Sequence, residues 1–368
     1  MVLDYTLKIV ILGTGLLGAV SGALGSFAVL RKQSLLGDAI SHASLPGVAL
    51  VFLITMTKNP IWIVFGAFLA GWIGTLFVSV IIKNTVVKHD AALGIILSVF
   101  FGFGLVLLTY IQRLPTSSKS GLNNFLFGNA SALLLEDIKV ILVLGVLVLG
   151  VLMLFWKEFK LLSFDESYCH SLGFPVNRLD ILLTTCIVIS IVIGLQTVGV
   201  VLMSAMIIAP AAAARQWTDR LGVMVMLSAI FGMFSGIVGS LLSSSIPHLP
   251  TGPTIVLVVS SIVFFSLLFS PHRGLIFGWI QDAHRSNNIR AQAMLANLLL
   301  FSESETDPFY PHELSALTAI GRGPATRAMK ELKEKGFVVN PEGDKWGLTK
   351  TGLVEAKKIK IEEIVNGN

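Results

Sequence analysis

The chain has 368 residues, of which 54% are hydrophobic and only 13% are charged, and its mean hydropathy is +0.80. Soluble proteins carry roughly a quarter charged residues, so this composition excludes a soluble enzyme and a disordered protein. The net charge of +5 is spread along the chain, and a count of two cysteines excludes a disulfide-stapled fold and a cysteine-based zinc site.

Charge density divides the chain into two parts. Residues 1–270 carry 14 Lys and Arg and 10 Asp and Glu, whereas residues 271–368 carry 13 and 12. We therefore predict an all-α polytopic membrane domain over 1–275, a linker over 276–287 and a small α+β cytoplasmic domain over 288–368.

Nine segments of the first part are apolar enough to cross a membrane, which takes about 20 residues for roughly 30 Å of hydrocarbon. The pair within 180–214 has no charged loop, but one helix of that length would far exceed a single crossing, and Gly194–Gly199 offers a tight turn. We therefore predict about nine transmembrane helices. The predicted spans are 8–30, 35–57, 60–82, 91–111, 139–156, 180–197, 199–214, 221–243 and 252–270.

Basic residues predict the orientation of these spans. With nine spans, the loops on one side hold most of the Lys and Arg, including Arg31, Lys83, Lys157 and Arg215. The positive-inside rule makes that side cytoplasmic. The N-terminus is then expected outside and the C-terminal domain inside.

The first span contains Gly13, Gly15 and Gly18 in the spacing of a dinucleotide-binding motif. That motif needs a preceding strand and a loop, which a membrane helix does not provide. We interpret Gly18 and Gly22 instead as a face on which two helices pack closely.

Asp38 is the one acidic residue inside the predicted spans, away from their edges. A carboxylate there costs at least about 2.5–3.5 kcal/mol on insertion scales, so it is a candidate for function. Asp38 and His42 are four residues apart and share one helix face. Ser41 and Ser44 lie nearby, and Pro46–Gly47 is expected to break the helix one turn later. Oxygen and imidazole ligands suit a first-row divalent cation, whereas the alternative is a hydrogen-bonded pair that only joins helices.

Two further segments are candidates for a pathway or an outer gate. Small residues and Pro210 follow Met203, Ser204 and Met206, which indicates either a broken helix facing a cavity or close packing of small residues. Both methionines fit core or lipid packing better than metal ligation. His248 lies in an outer loop, either as an entry ligand or as an ordinary surface histidine.

A short amphipathic helix is predicted between the fifth and sixth spans. Ser163 is the expected N-cap, and the end is marked by Leu-Gly-Phe-Pro. The helix would lie either on the membrane surface or against a protein, and its acidic start favours a protein. Its residues of interest are Phe164, Asp165, Glu166, Tyr168, Leu172 and Gly173.

Four ordered motifs within about residues 5–275 resemble the permease subunit of ABC-type importers for divalent metals, the zinc, manganese and iron uptake family. The resemblance implies alternating access of Mn, Zn or Fe past an Asp/His site, with the metal as transported substrate and no permanently bound cofactor. His248 departs from the acidic or amide residue that relatives often have, which leaves the outer ligands open. The motifs are Leu36–Gly47, Phe164–Pro175, Gln196–Pro210 and Pro250–Thr254.

The same resemblance implies partners and a location. They are cytoplasmic ABC ATPase subunits, an external metal-binding protein and a second permease subunit, identical or related, in the bacterial inner membrane. The Phe164–Pro175 helix would dock on the ATPase. Because the chain has no Gly-x-x-x-x-Gly-Lys-Ser/Thr loop, ATP hydrolysis is expected of the partner and no enzymatic activity of this chain. A third alternative, an ion-coupled carrier, would need no ATPase.

The C-terminal part reads as three helices, a hairpin with its turn at Pro341–Asp344, and a last helix. It resembles the winged-helix DNA-binding part of iron- and manganese-dependent repressors. Arg322, Arg327 and Lys330 would be its contacts, but 13 basic against 12 acidic residues favour docking or regulation over nucleic acid as a partner. A membrane-tethered, metal-responsive regulator that binds DNA remains the alternative to a transport permease.

Overall fold

The computed structural model describes residues 5–56, 60–113, 133, 135–195, 198–246, 249–271, 273–304, 307–317 and 322–366. The chain divides into two compact units, Met1–Gly274 and Leu275–Asn368. Each unit has its own cluster of buried apolar side chains.

The described part of the first unit is built from helices. Helices rich in Leu, Val, Ile, Ala and Gly suit a lipid environment, because they satisfy their backbone hydrogen bonds internally. The helices are α1 (Tyr5–Leu30), α2 (Leu36–Ala43), α3 (Leu45–Thr55), α4 (Pro60–Asn84), α5 (His89–Arg113), α6 (Leu135–Leu154), α7 (Trp156–Phe164), α8 (Glu166–Ser171), α9 (Val176–Leu195), α10 (Val200–Trp217), α11 (Leu221–Ser245) and α12 (Thr251–Phe269).

Eight helical segments among the described residues are long and apolar enough to cross a membrane, with α2 and α3 counted together. They coincide with eight of the nine predicted spans. The remaining predicted span, 199–214, corresponds to α10. In α1 and in α2–α3, 67% of the residues of the apolar stretch are buried, against 22% in α6. Helices α1 to α3 therefore lie at the centre of the unit.

The structure divides the 180–214 region into two helices. Helix α9 ends at Leu195, and α10 begins after Gly199, whose φ of 93° is a conformation that favours glycine. The Met203 side chain fills the space beside Gly194, nine residues earlier. Residues so far apart in one continuous helix would be about 13 Å apart, so the chain turns back here.

Helices α1 and α11 pack through small residues along their length. A side chain on either Gly18 or Gly232 would overlap the carbonyl of the other glycine. Ser228 donates a hydrogen bond to the carbonyl of Gly22 at 2.5 Å, so the predicted close-packing face is confirmed. Further along, Thr14 donates to Gly236 at 3.1 Å.

This contact also gives the relative direction of the two helices. Positions 14, 18 and 22 of α1 meet positions 236, 232 and 228 of α11, so the helices are antiparallel. In the nine-span prediction they are spans one and eight, which must run in opposite directions. Merging 180–214 into one span would make them parallel.

The second unit combines helices with a three-stranded antiparallel sheet of order β1-β3-β2. Its core is formed by apolar side chains that include Leu295, Met329 and Trp346. The elements are α13 (Leu275–Ser304), β1 (His312–Glu313), α14 (Leu314–Leu317), α15 (Arg322–Glu334), β2 (Val338–Glu342), β3 (Lys345–Leu348) and α16 (Lys350–Asn366).

Three details of this unit differ from the prediction. Residues 276–287, expected as a linker, are helical and belong to α13. The hairpin turn is shorter than predicted, because β2 continues through Pro341 and the reversal takes place at Gly343, with φ 47°, and Asp344. Strand β1, only two residues long, has no alternating pattern from which it could be predicted.

Candidate functional site

Asp38 and His42 face each other across one turn of α2. The Nε2 atom of His42 lies 3.4 Å from the Oδ1 atom of Asp38, and 37% of the Asp38 side chain is exposed against 14% for His42. The predicted pairing on one helix face is therefore present. The two side chains bring one carboxylate and one imidazole together, with the carboxylate the more open of the two.

The separation of these two atoms fits a shared metal ion. Transition metals bind carboxylate oxygen and imidazole nitrogen at about 2.0–2.2 Å, so two ligands at a tetrahedral angle stand about 3.4 Å apart. The observed 3.4 Å between Nε2 and Oδ1 matches that spacing. The distance between the two atoms therefore allows both to contact one divalent ion, and it also suits a long hydrogen bond between them.

The His42 ring is held by α5. It meets Phe101 edge to face, with ring centroids 4.5 Å apart and planes at 74°. Its second nitrogen, Nδ1, is buried and has no hydrogen-bond partner among the described residues.

Ser41 and Ser44 are fully buried, and their hydroxyl groups bond back to carbonyl groups of their own helix. Ser41 donates to the carbonyl of Gly37 at 2.7 Å, and Ser44 donates to that of Ile40 at 2.9 Å. No group of three or more His, Cys, Asp or Glu gathers within the part of the chain that the structure describes. Asp38 and His42 would therefore need oxygen atoms from the backbone, hydroxyl groups or water to complete a coordination shell.

The helix breaks slightly earlier than the sequence predicts, two residues beyond His42. Helix α2 ends at Ala43, Ser44 is the turn residue, and α3 begins at Leu45 with Pro46 in its first turn. Proline has no N–H, so the carbonyl of His42 lacks the usual helical donor four residues later. Gly47 then packs so closely on the carbonyl of Gly66 in α4 that no side chain would fit.

Helix α10 runs beside the Asp38 segment. A Cβ atom on Gly37 would stand 3.3 Å from the Cα atom of Ser204. Helix α10 continues through Pro210, so the predicted break there is wrong, and small residues of α10 that include Ser204 line an open groove with α12. Met203 and Met206 are both fully buried. His248 lies outside the described residues.

An ion pair that the sequence did not reveal joins the loop after α1 to α9. The guanidinium of Arg31 contacts the carboxylate of Asp180, with 11% and 29% of the side chains exposed. Asp180 is the first residue of the predicted span 180–197, on the side that holds most of the Lys and Arg. Arg31 and Asp180 are thus predicted on the same side of the membrane, but this does not identify Arg31 as the partner of Asp180.

The single amphipathic helix predicted from Ser163 is shorter in the structure, where α8 covers Glu166–Ser171 with a different cap and the residues before Asp165 belong to α7. Asp165 is the N-cap of α8, and its carboxylate accepts a hydrogen bond from the Tyr168 amide at 2.8 Å. Ser163 instead donates to the carbonyl of Phe159 within α7. After α8, Gly173 has a φ of 83°, as expected of a helix stop.

This segment presents apolar side chains to the exterior of the first unit. Phe164, Tyr168 and Leu172 are 55%, 53% and 52% exposed, and Glu166 is exposed beside them. The segment is anchored underneath by Phe27, whose ring lies 5.9 Å from that of Trp156 and 6.3 Å from that of Phe159. The result is a fixed platform with an uncovered apolar face.

In the second unit, Arg327 and Lys330 are exposed on α15. Arg322 begins the same helix, but its side chain is outside the described part. The two exposed cations stand beside a helix core of Ala325, Ala328 and Met329, so α15 offers one basic and one buried face.

Comparisons with known proteins agree on one family. The model of the ABC 3 transport family matches residues 3–270. The zinc transport system membrane protein TroC of Treponema pallidum (strain Nichols) is 47% identical over 274 residues, 74% of this chain and 92% of TroC. The manganese transport system membrane protein MntC of Bacillus subtilis (strain 168) is 41% identical over 347 residues, 94% of this chain and 79% of MntC.

A solved structure agrees with these relatives. A chain in the structure of PsaBC from Streptococcus pneumoniae in complex with Fab is 33% identical, with a TM-score of 0.65. The similarity covers 73% of this chain and 93% of that chain. The alignment with MntC extends into the second unit, because the first unit has fewer than the 347 aligned residues.

Proposed function

The chain belongs to the ABC 3 transport family, and from this premise we propose that it is the membrane-spanning permease of an ATP-driven importer for a divalent transition metal. TroC and MntC are named as zinc and manganese transport proteins, which supports a divalent cation as the cargo. Mn, Zn and Fe all accept the oxygen and nitrogen ligands of Asp38 and His42.

The observation that carries this proposal is the 3.4 Å separation of Asp38 Oδ1 and His42 Nε2. The ion binds between these atoms while α2 is open to one side of the membrane and is released when the surrounding helices open to the other. A site with two protein ligands and exchangeable oxygens suits transport, because a complete protein shell would release the ion slowly. Helix α10 packs beside this site, and its residues Met203, Ser204 and Met206 are not part of the ligand set.

We assign the exposed face of Phe164, Tyr168 and Leu172 to the partner ATPase. It lies on the side that the basic residues predict to be cytoplasmic. An apolar face rimmed by Asp165 and Glu166 is typical of a protein docking surface. An external metal-binding protein and a second permease subunit, identical or related, complete the importer in the bacterial inner membrane.

The test is metal accumulation in cells that produce this chain with its ATPase and binding protein. Manganese, zinc and iron are measured by elemental analysis for the unchanged chain, Asp38→Asn and His42→Gln. We expect one metal to accumulate and both substitutions to abolish the accumulation at equal membrane abundance. Glu136→Gln is the matched control, because Glu136 is 80% exposed at the start of α6. Unchanged accumulation in both variants would make Asp38–His42 a structural pair.

A second function, a membrane-tethered regulator that binds DNA, rests on the exposed Arg327 and Lys330 of α15. We propose that the second unit is a winged helix, since its helices precede an antiparallel hairpin and a last helix. Removing residues 275–368 separates the two functions. Transport that persists at least in part supports the permease, whereas lost promoter binding by a chain that transports no metal even at full length would favour the regulator.

A further inference from the structure

An apolar groove lies between α4 and α6 in the first unit. Both helices pack against α9, whose buried residues Val192 and Ile193 form the floor of the groove. Val64 and Phe68 line the wall on α4, and Val140 lies on the opposite wall, on α6. The groove has a volume of about 610 Å³, within the range of about 300–1,000 Å³ that is typical of small-ligand sites.

The charged groups of this groove are confined to one end. Its lining is aliphatic and aromatic except for three charged residues, which all lie among the first five residues of α6. Ile61, at the start of α4, and Ile193, at the end of α9, line the same groove. The charged end therefore lies where these three spans reach the membrane surface, on the side predicted to be external. The apolar remainder extends into the membrane.

The groove reaches less than halfway across the membrane. Its lining covers positions 61–68 of α4 and 136–144 of α6, which at 1.5 Å per residue is about 10–12 Å along each helix. One turn beyond Phe68, the indole N–H of Trp72 donates to the hydroxyl of Thr185 in α9 at 3.1 Å, so α4 and α9 are in direct contact there. The hydrocarbon of a bilayer is roughly 30 Å thick, so the depth of the groove corresponds to one leaflet.

The depth and the polarity of the groove select a lipid over a protein helix as its occupant. A membrane-spanning helix of a second copy or of another protein is apolar over roughly 30 Å and would continue past Trp72, where the groove has ended. The acyl chain of a phospholipid is apolar over one leaflet and ends in a charged headgroup at the surface. Lys139, at the charged end, is 67% exposed and is a suitable donor to a phosphate group.

We propose that this groove binds one phospholipid of the outer leaflet, with an acyl chain between α4 and α6 and the phosphate group beside Lys139. The bound chain fills the space between two helices that each contact α9, and so stabilises their separation. The inference requires only that α4, α6 and α9 cross the membrane, for which all three are long and apolar enough. It does not depend on the transported ion.

The test is lipid retention by the purified full chain, measured by native mass spectrometry in detergent after reconstitution with palmitoyl-oleoyl phosphatidylethanolamine. Val64→Trp and Val140→Trp fill the groove from α4 and from α6. Each has a matched control on the same helix outside the groove, Val80→Trp and Val146→Trp, at positions that are 54% and 60% exposed. Lys139→Gln tests the contact with the phosphate group.

We expect the unchanged chain and both controls to retain one lipid per chain, and each groove-filling variant to retain about tenfold less. Lys139→Gln should retain about threefold less, because it removes a charge-assisted hydrogen bond. Two variants on different helices keep the test decisive if one folds poorly.

Equal retention by the groove-filling variants and their controls would overturn the proposal, and so would an unchanged chain that retains no lipid. The same spectra report how many copies of the chain form each particle. A groove-filling variant that loses a second copy instead of a lipid would identify protein as the occupant and would also overturn the proposal.

Discussion

Gly37 in α2 lies directly against the backbone of Ser204 in α10, with 3.3 Å between a Cβ position on Gly37 and the Cα atom of Ser204. Two segments that are 167 positions apart in the chain thus form one wall beside Asp38. Any opening of this wall moves α2 relative to α10. The absence of a side chain at residue 37 is what permits the close approach.

Filling this contact should disrupt the site. Gly37→Leu forces bulk against the α10 backbone, and overpacking of this kind costs about 1–3 kcal/mol. We expect a lower thermal unfolding midpoint and a loss of metal uptake. Gly94→Leu, in α5, is the matched control because nothing described lies within 4 Å of its Cβ position. Equal stability and uptake of the two variants would contradict the importance of this contact.

The contact between α1 and α11 should tolerate an added side chain even less than the contact between α2 and α10. A methyl group on Gly18 would overlap the carbonyl of Gly232, and neither backbone can yield within a packed helix pair. We expect Gly18→Ala to destabilise the chain by about 1–3 kcal/mol. Gly102→Ala in α5, where the Cβ position is open, should instead be neutral or stabilise it by about 0.5–1 kcal/mol.

Thermal unfolding of the detergent-purified variants, followed by size-exclusion chromatography, measures the difference. The two substitutions are chemically identical, so helix propensity cancels in the comparison. A Gly18→Ala variant that is as stable as Gly102→Ala would mean that α1 and α11 separate readily.

The local features of the candidate site could be predicted from the sequence because they depend on helical spacing. Asp38 and His42 share a face at four residues' separation, and Pro46 breaks the helix through its missing N–H. The pairing of α2 with α10 could not be predicted, since nothing in the pattern specifies which helices become neighbours. Pro210 misled the prediction because its helix continues, with the adjoining Ala211 fully buried against other helices.

The ion pair between Arg31 and Asp180 should contribute to stability. Removing Asp180 leaves a guanidinium that is only 11% exposed and already has an unpartnered Nη1 atom. Breaking such a buried pair costs about 3–5 kcal/mol, and the 29% exposure of Asp180 places the expected loss near the lower figure. We expect Asp180→Ala to lower the unfolding midpoint clearly.

The exposed pair of Lys139 and Glu136 is the control for this prediction. Its side chains are 67% and 80% exposed, so Glu136→Ala should change the unfolding midpoint little. Exchanging the charges, Arg31→Asp with Asp180→Arg, should recover part of the stability. If the exchanged variant is no better than Asp180→Ala, then the loss reflects packing and not the ion pair.

Cys169 gives a prediction that depends on pH. Burial, followed by the carboxylates of Glu166 and Glu158, raises the pKa of the Cys169 thiol above its ordinary value near 9. Alkylation requires the thiolate, so the folded chain should react slowly with iodoacetamide at pH 8, and the rate should keep rising above pH 9. The measurement is mass-spectrometric labelling in a Cys186→Ala chain.

Glu166→Gln isolates the charge contribution to this pKa. It removes one carboxylate without changing the burial, so the pKa should fall and labelling at pH 8 should become faster. Burial is the larger cause, so the thiol should remain slower than in the unfolded chain. Labelling of the folded chain as fast as that of the unfolded chain would contradict the buried position of Cys169.

The platform of α7 and α8 should be where ATP hydrolysis is coupled to this chain. Tyr168 and Leu172 are half exposed and apolar, and truncating a central interface residue typically costs 2 kcal/mol or more. We expect Tyr168→Ala to reduce co-purification of the ATPase at least about tenfold and to abolish uptake, with unchanged amounts of this chain in the membrane. Val86→Ala is the matched control, because Val86 is fully exposed between α4 and α5, on the side predicted to be cytoplasmic. Since Phe27 anchors the platform from below, a substitution on its exposed face should leave the stability of the chain unchanged. A Tyr168→Ala chain that still co-purifies with the ATPase would place the docking surface elsewhere.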